Sequence, residues 1–180
     1  MHFEKKLTSE TLFSGRVITV TRDTVELENG RTSTREVVHH HGGAGIAALN
    51  EKGELYLVRQ YRYALDRELI EIPAGKLEKG EDPFEAAKRE LGEEAGLSAA
   101  TYRDLGFVIP TCGYCSEIIY LYAAKDLTDV RQHLDPDEFL SVFTMPLDEA
   151  AEKVLRGEIT DGKTVAAVLK VKALRDRGEF

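Results

Sequence analysis

The segment from Gly75 to Leu97, GKLEKGEDPFEAAKRELGEEAGL, limits the fold of this 180-residue chain more than any other stretch. Its second half reads as a helix with two unlike faces. At about 100° per residue, counting from Phe84, Glu93, Glu90 and Glu94 fall at roughly 180°, 240° and 280°. Phe84, Ala87, Leu91 and Ala95 gather around the origin instead. One side is an apolar stripe for packing; the other is a dense acidic face with Arg89 at its edge. Local signals bound the helix. Asp82 can be the N-cap, Pro83 suits the first helical position, and Glu85 stands at capping-box spacing. Gly96 can close the C-terminus in a left-handed conformation. Gly92 costs about 1 kcal/mol against alanine inside a helix, which a crowded position would justify. Clustered carboxylates bind hard divalent cations, and Mg²⁺ commonly bridges protein oxygens and substrate phosphates.

For an arbitrary glutamate-rich helix the ordinary reading is a solvated acidic face. The spacing around this one argues otherwise. Gly75, five residues, Glu81, seven residues, then Arg89-Glu90-Leu91-x-Glu93-Glu94-x-Gly96-Leu97 fix nine sites over 23 residues. This resembles the box of the Nudix family at every fixed position. The resemblance implies an α/β/α sandwich with a mixed sheet.

The rest of the chain is compatible with that class. Val17–Val20, Asp23–Leu27 and Arg35–His39 are strand-like, with an Asn29-Gly30 turn between the last two. Gly42-Gly43 ends this run, so an N-terminal strand module over 1–41 and a second domain over 42–180 are expected. Ala44–Leu49 and Glu54–Gln60 read as a hairpin across Asn50–Gly53, and Glu68–Ile72 as a short strand feeding the box. Thr101–Val108, Glu117–Ala124 and Phe139–Met145 read as later strands. Pro146 starts a helix that stops at Gly157, and Asp161 caps another through Arg175. Strands mixed with such helices give an α/β class; the pattern alone leaves the topology open.

Composition excludes some functions. A net charge of −8 argues against general nucleic-acid binding, which wants a basic surface. It does not argue against a small anionic substrate, because a bound cation inverts the local field. No stretch approaches the roughly 20 apolar residues of a membrane span, and MHFEKKLTSE has no apolar signal core, so a cytoplasmic protein is expected. Cys112 and Cys115 have dithiol spacing. Redox pairs usually open a helix, yet Ile118–Tyr122 reads as a strand. A zinc site would need two more ligands, which His39–His41 could supply only if the fold brought them there. Two reduced loop thiols are the expected reading.

Further segments resemble the ADP-ribose pyrophosphatase branch of the family: Phe13–Val17, Arg35–Val38, Val58–Arg62, Glu71–Gly75, and Gly157–Asp161 with Lys163-Thr164. The resemblance implies Mg²⁺ (or Mn²⁺) held by Glu90 and Glu94, with Glu93 assisting and the Ala74 carbonyl as a further ligand. Gly75 turns the loop, Glu81 secures the motif, and Arg89 orients the carboxylates. The branch often places its base on an acidic loop before a late strand, which points to Glu138, with Asp137 second. A water near such a carboxylate is a sensible nucleophile. Arg62 is a candidate phosphate contact. Arg35 and Glu36 are candidates for the ribose or adenine, Phe13 for stacking on the base, and Glu117 for the substrate or metal side of its loop. The N-terminal module resembles one used for homodimerisation.

The implied reaction is hydrolysis of ADP-ribose to AMP and ribose 5-phosphate. One departure counts against it: Cys112 stands where the branch often has proline, with Pro110 two residues earlier. GDP-mannose or another nucleoside-diphosphate sugar is the alternative of the same class. A nucleotide-sensing module without catalysis and a dithiol protein are the alternatives of other classes.

Overall fold

Alternation along 19–26 sets the first unit. The computed structural model describes residues 2–134, 136 and 138–180. Strands β1 (Lys5–Ser14), β2 (Thr19–Glu26) and β3 (Thr32–His39) form an antiparallel sheet in that order. Thr21, Asp23 and Val25 of the central strand are buried at every second position, as a pleated strand with one covered face requires. The stretches 17–20 and 23–27, expected as two strands, are one strand. Gly30 makes the β2–β3 turn at φ 77°. β1 is missing from the expected elements because its alternation is broken: register shifts fall between Lys6 and Thr8 and between Thr11 and Phe13, and each shift flips the side-chain faces. Every residue of β1 is exposed. Residues 109–118 belong to this unit rather than to the strands that flank them in sequence. Val38 N–H donates to the Tyr114 carbonyl (2.7 Å) and Ser116 N–H to the Val38 carbonyl (2.9 Å).

The second unit comprises 43–108 and 119–180. Its elements are β4 (Gly43–Ala48), β5 (Glu54–Arg62), β6 (Arg67–Glu71), β7 (Ala74–Lys76), α1 (Pro83–Ala95), β8 (Leu97–Val108), β9 (Ile119–Asp129), β10 (Leu140–Pro146), α2 (Leu147–Leu155) and α3 (Gly162–Asp176). They build a mixed sheet, β7-β4-β9-β8, and an antiparallel sheet, β10-β5-β6. The hairpin expected across 50–53 does not form. The turn is present, with Gly53 at φ 74°, but Leu49 and Leu55 share only an isolated bridge. β4 instead pairs in parallel with β9 and antiparallel with β7. Its six residues, GAGIAA, are all buried; small side chains suit a strand covered on both faces. Ala44, Ile46 and Ala48 face Ala86, Ala87 and Leu91 of α1. Ala47 faces the opposite core, with Leu121, Ile159, Ala167, Val168 and Val171. Helices on both faces of a mixed sheet make the α/β/α sandwich.

Candidate active site

Helix α1 begins as its sequence dictates. Asp82 accepts from the amides of Phe84 (2.9 Å) and Glu85 (3.2 Å). Glu85 pairs with Lys88 (2.9 Å). Gly96 ends the helix in the left-handed region at φ 67°. The crowding expected at Gly92 is absent: a Cβ there would meet its nearest neighbour at an ordinary 3.8 Å.

The acidic face is not a solvated one. Glu90 and Glu94 are 6% and 2% exposed, whereas Glu93 is half-buried. The loop entering the motif lies directly under them. A Cβ on Gly75 would sit 1.8 Å from Oε1 of Glu90, so only glycine leaves space for that carboxylate. The Ala74 amide donates to Oε2 of Glu94 (2.8 Å). Arg89 joins the cluster by donating to Glu81 (2.9 Å), Glu90 (2.7 Å) and Glu93 (2.7 Å). Glu81 also accepts from the Glu78 amide (2.8 Å), closing the loop before the helix.

Three carboxylates share this single guanidinium. Burial raises the Glu94 pKa to about 8; the Ala74 amide opposes the rise, while Glu90 and Glu138 add to it. Burial likewise raises Glu90 to about 7, against the pull of Arg89. The exposed Glu138 therefore lies within electrostatic range of both. The loop leading to it is held on the end of α1: Val130 N–H donates to the Gly96 carbonyl (2.8 Å), Gln132 Nε2 to the Glu94 carbonyl (2.5 Å) and His133 N–H to the Glu93 carbonyl (3.1 Å). These contacts occupy carbonyls that a helix end leaves without partners. Asp137 lies outside the described residues.

The donor set suits a hard divalent cation. It is all oxygen, surplus in negative charge, and buried where an ionised carboxylate lacks solvent. Among the described residues, no three His, Cys, Asp or Glu side chains converge as a ready-made cage. Arg89 bridges Glu90 and Glu93 in this arrangement. Mg²⁺ commonly takes only one or two protein carboxylates and completes its shell with water and phosphate, so the absence of a cage is compatible with it.

Arg62 lies in the second unit with these groups. It grips Glu71 through Nε and Nη2, both at 2.6 Å, and the field of Glu94 reaches it. The other candidates belong to the first unit. Arg35 pairs with Glu4 (2.9 Å), Glu36 lies 3.9 Å from Arg22, and Glu117 lies 3.5 Å from His40. Phe13 is exposed on β1, and a Cβ on Gly15 would meet its ring at 2.7 Å. The fold does bring the Cys112–Cys115 turn beside the histidine run, through a bridge between Val38 and Cys115. Both thiols are free, and they complete no metal-holding group among the described residues.

Glu71, Lys163, Asp161 and Thr164 were not singled out as site residues from the sequence. The available signal is that all four lie in family-like stretches, Glu71–Gly75 and Gly157–Asp161 with Lys163-Thr164.

Residues 39–168 match the NUDIX domain family, and residues 4–38 match the nucleoside diphosphate sugar hydrolase N-terminal domain. The chain is 44% identical over 167 residues to the methanol dehydrogenase activator of Bacillus methanolicus, covering 92% of this chain and 90% of that one. It is 39% identical, with the same coverage, to the ADP-ribose pyrophosphatase of Bacillus subtilis. Among solved structures, that of an ADP compounds hydrolase superposes with a TM-score of 0.84 over 98% of this chain and 97% of that one. At 24% identity, that likeness bears on the fold alone.

Proposed function

The chain belongs to the NUDIX family, and on that premise we propose that it is a Mg²⁺-dependent hydrolase that splits ADP-ribose into AMP and ribose 5-phosphate. The observation that carries this reading is the pair of buried glutamates, Glu90 and Glu94, seated on the Ala74–Gly75 backbone one helical turn apart. The similarity to an ADP-ribose pyrophosphatase over nearly the whole chain supports the choice of substrate.

Glu90 and Glu94 hold the metal, with Glu93 and the Ala74 carbonyl as further oxygens; Mn²⁺ is the alternative ion. A divalent cation there supplies neutralisation of the diphosphate charge and polarisation of phosphorus. Arg89, anchored by Glu81, keeps the carboxylates in register. Arg62 binds the diphosphate. Glu138 takes the proton from the attacking water, with Asp137 second in that role, and the water's oxygen ends on one of the two phosphate products. Arg35, Glu36, Phe13 and Glu117 hold the nucleoside or terminal ribose. The division into a module over 1–41 and a hydrolase domain over 42–180, a homodimer formed through that module, and a cytoplasmic location belong to the same reading. The exposed β1, carrying Leu7, Leu12 and Phe13, supports the dimer. No helix among the described residues is long and apolar enough to cross a membrane.

Product analysis with ADP-ribose and GDP-mannose, in Mg²⁺ and in EDTA, tests this on wild type and Glu94→Gln. AMP and ribose 5-phosphate formed only with Mg²⁺ and lost in the variant are expected. Preference for GDP-mannose would move the substrate and keep the chemistry; no cleavage of either would refute the reading in favour of a sensor. The similarity to a methanol dehydrogenase activator supports a second reading, stimulation of such a dehydrogenase. Adding wild type or Glu94→Gln to a methanol dehydrogenase assay tests it, and equal rates with and without wild type would exclude it.

A further inference from the structure

Glu71 is the least exposed charged residue among those described, at 1%. An ion buried to that degree costs several kcal/mol unless it is paired and hydrogen-bonded. Here Arg62 supplies two parallel bonds of 2.6 Å and Lys163 donates to Oε2. Burial pushes the Glu71 pKa up, but the two cations outweigh it and leave the carboxylate below its usual range.

The bracing continues into α3. Lys163 lies 3.0 Å from Oδ2 of Asp161, the oxygen that caps α3 by accepting from Thr164 N–H (3.0 Å) and Thr164 Oγ1–H (2.6 Å). Thr164 Oγ1 accepts in turn from the Ile72 amide (2.9 Å). Ile72 leads within two residues to Ala74, whose amide holds Glu94. One helix N-terminus thus anchors both the carboxylate under Arg62 and the loop under the acidic face.

The geometry of Arg62 shows what the network does. A bidentate pair fixes the guanidinium plane. Nε and Nη2 are used by Glu71, and among the described residues Nη1 donates to none. The Arg62 side chain is 40% exposed, whereas that of Lys163 is 9% exposed. One cation therefore reaches solvent and the other stays behind it. Two cations against two carboxylates leave the cluster neutral; without Lys163 it would carry a net negative charge, which would oppose a bound diphosphate.

We propose that Glu71 is a positioning residue that locks Arg62 with Nη1 aimed at the substrate diphosphate, and that Lys163 braces Glu71 from behind without touching substrate. The proposal rests on the hydrolase reading above. It makes Arg62 a preorganised contact, whose ordering cost is met during folding instead of on binding.

A double-mutant cycle tests it. KM and kcat for ADP-ribose are measured in Mg²⁺ for wild type, Glu71→Gln, Arg62→Ala and the double variant. Loss of a contact made equally to substrate and transition state raises KM and spares kcat. We expect about a tenfold rise in KM in each single variant, and no further rise in the double, because both act through one contact. Multiplying effects, or a fall in kcat with KM unchanged, would overturn the proposal. A second readout stands apart from turnover. The Arg62 Nε–H resonance is followed by NMR as inorganic pyrophosphate and Mg²⁺ are added. A protected signal in wild type that shifts with pyrophosphate, and is lost in Glu71→Gln, is expected. A wild type that cleaves no ADP-ribose would overturn the hydrolase reading alone. An Arg62 signal indifferent to pyrophosphate, or unchanged in Glu71→Gln, would overturn the positioning role whichever way the hydrolysis assay falls.

Discussion

Replacing Glu94 with glutamine is expected to stabilise the metal-free protein at neutral pH while removing its activity. Glutamine keeps the shape and the acceptor for the Ala74 amide but carries no charge to bury. In wild type the Glu94 pKa is raised from 4.5 to about 8, chiefly by burial. Between those values the folded protein holds a proton that the unfolded chain has released. The stability this contributes is fully present below pH 4.5 and is lost as pH rises through 8. The slope is about −1.4 kcal/mol per pH unit for one group, or about 3 kcal/mol between pH 5.5 and 7.5. For a chain of this size that is about 6–12 °C in Tm. Glu90, raised to about 7, acts in the same direction. Glu71 and Glu81 have lowered pKa values; the stability they contribute is present above 4.5 and lost as pH falls below it, outside this window. Thermal denaturation in EDTA at pH 5.5 and 7.5 measures the effect as the difference between wild type and Glu94→Gln, in which groups common to both cancel. The gap should open toward pH 7.5 in favour of the variant, and added Mg²⁺ should narrow it by stabilising wild type. A gap that stays constant or reverses in EDTA would refute the buried-charge account.

Gly75→Ala should leave the fold intact but lower activity about 100-fold, the scale of a roughly 1 Å misplacement of a reacting group, because its Cβ displaces the Glu90 carboxylate; wild-type kcat/KM would contradict this. Gly92→Ala should raise stability by about 0.5–1 kcal/mol with activity kept, since its Cβ meets nothing closer than 3.8 Å; a drop in urea midpoint would show a constraint that the packing does not reveal. Asp82→Ala should cost about 1 kcal/mol through the lost N-cap, read as a lower denaturation midpoint with the substrate preference unchanged.

Helix α1 was legible because its signals are local. Asp82, Pro83 and Gly96 act on the backbone beside them, and the 3.6-residue period places Glu90 and Glu94 on one side whatever packs nearby. β1 and the partner of β4 were not legible. Two register shifts hide the alternation of β1. Nothing within GAGIAA says that its neighbour will be β9, more than 70 residues away, rather than the strand across the next turn. The hairpin signal at Asn50–Gly53 correctly gave the turn and wrongly gave the pairing, because a turn sets chain direction and not which sheet each strand joins.

By itself, then, the sequence determined the acidic helix, its ends, and the spacing that identifies the family, since those depend on neighbours within a few residues. Only the tertiary structure decided that Glu90 and Glu94 are buried rather than solvated, because burial depends on the Ala74–Gly75 loop that packs beneath them. It also decided that Glu71, Lys163 and Asp161 form one network across 92 residues of chain. Charge pairing in a low-dielectric interior depends on distances in space, and separation along the chain carries no record of those.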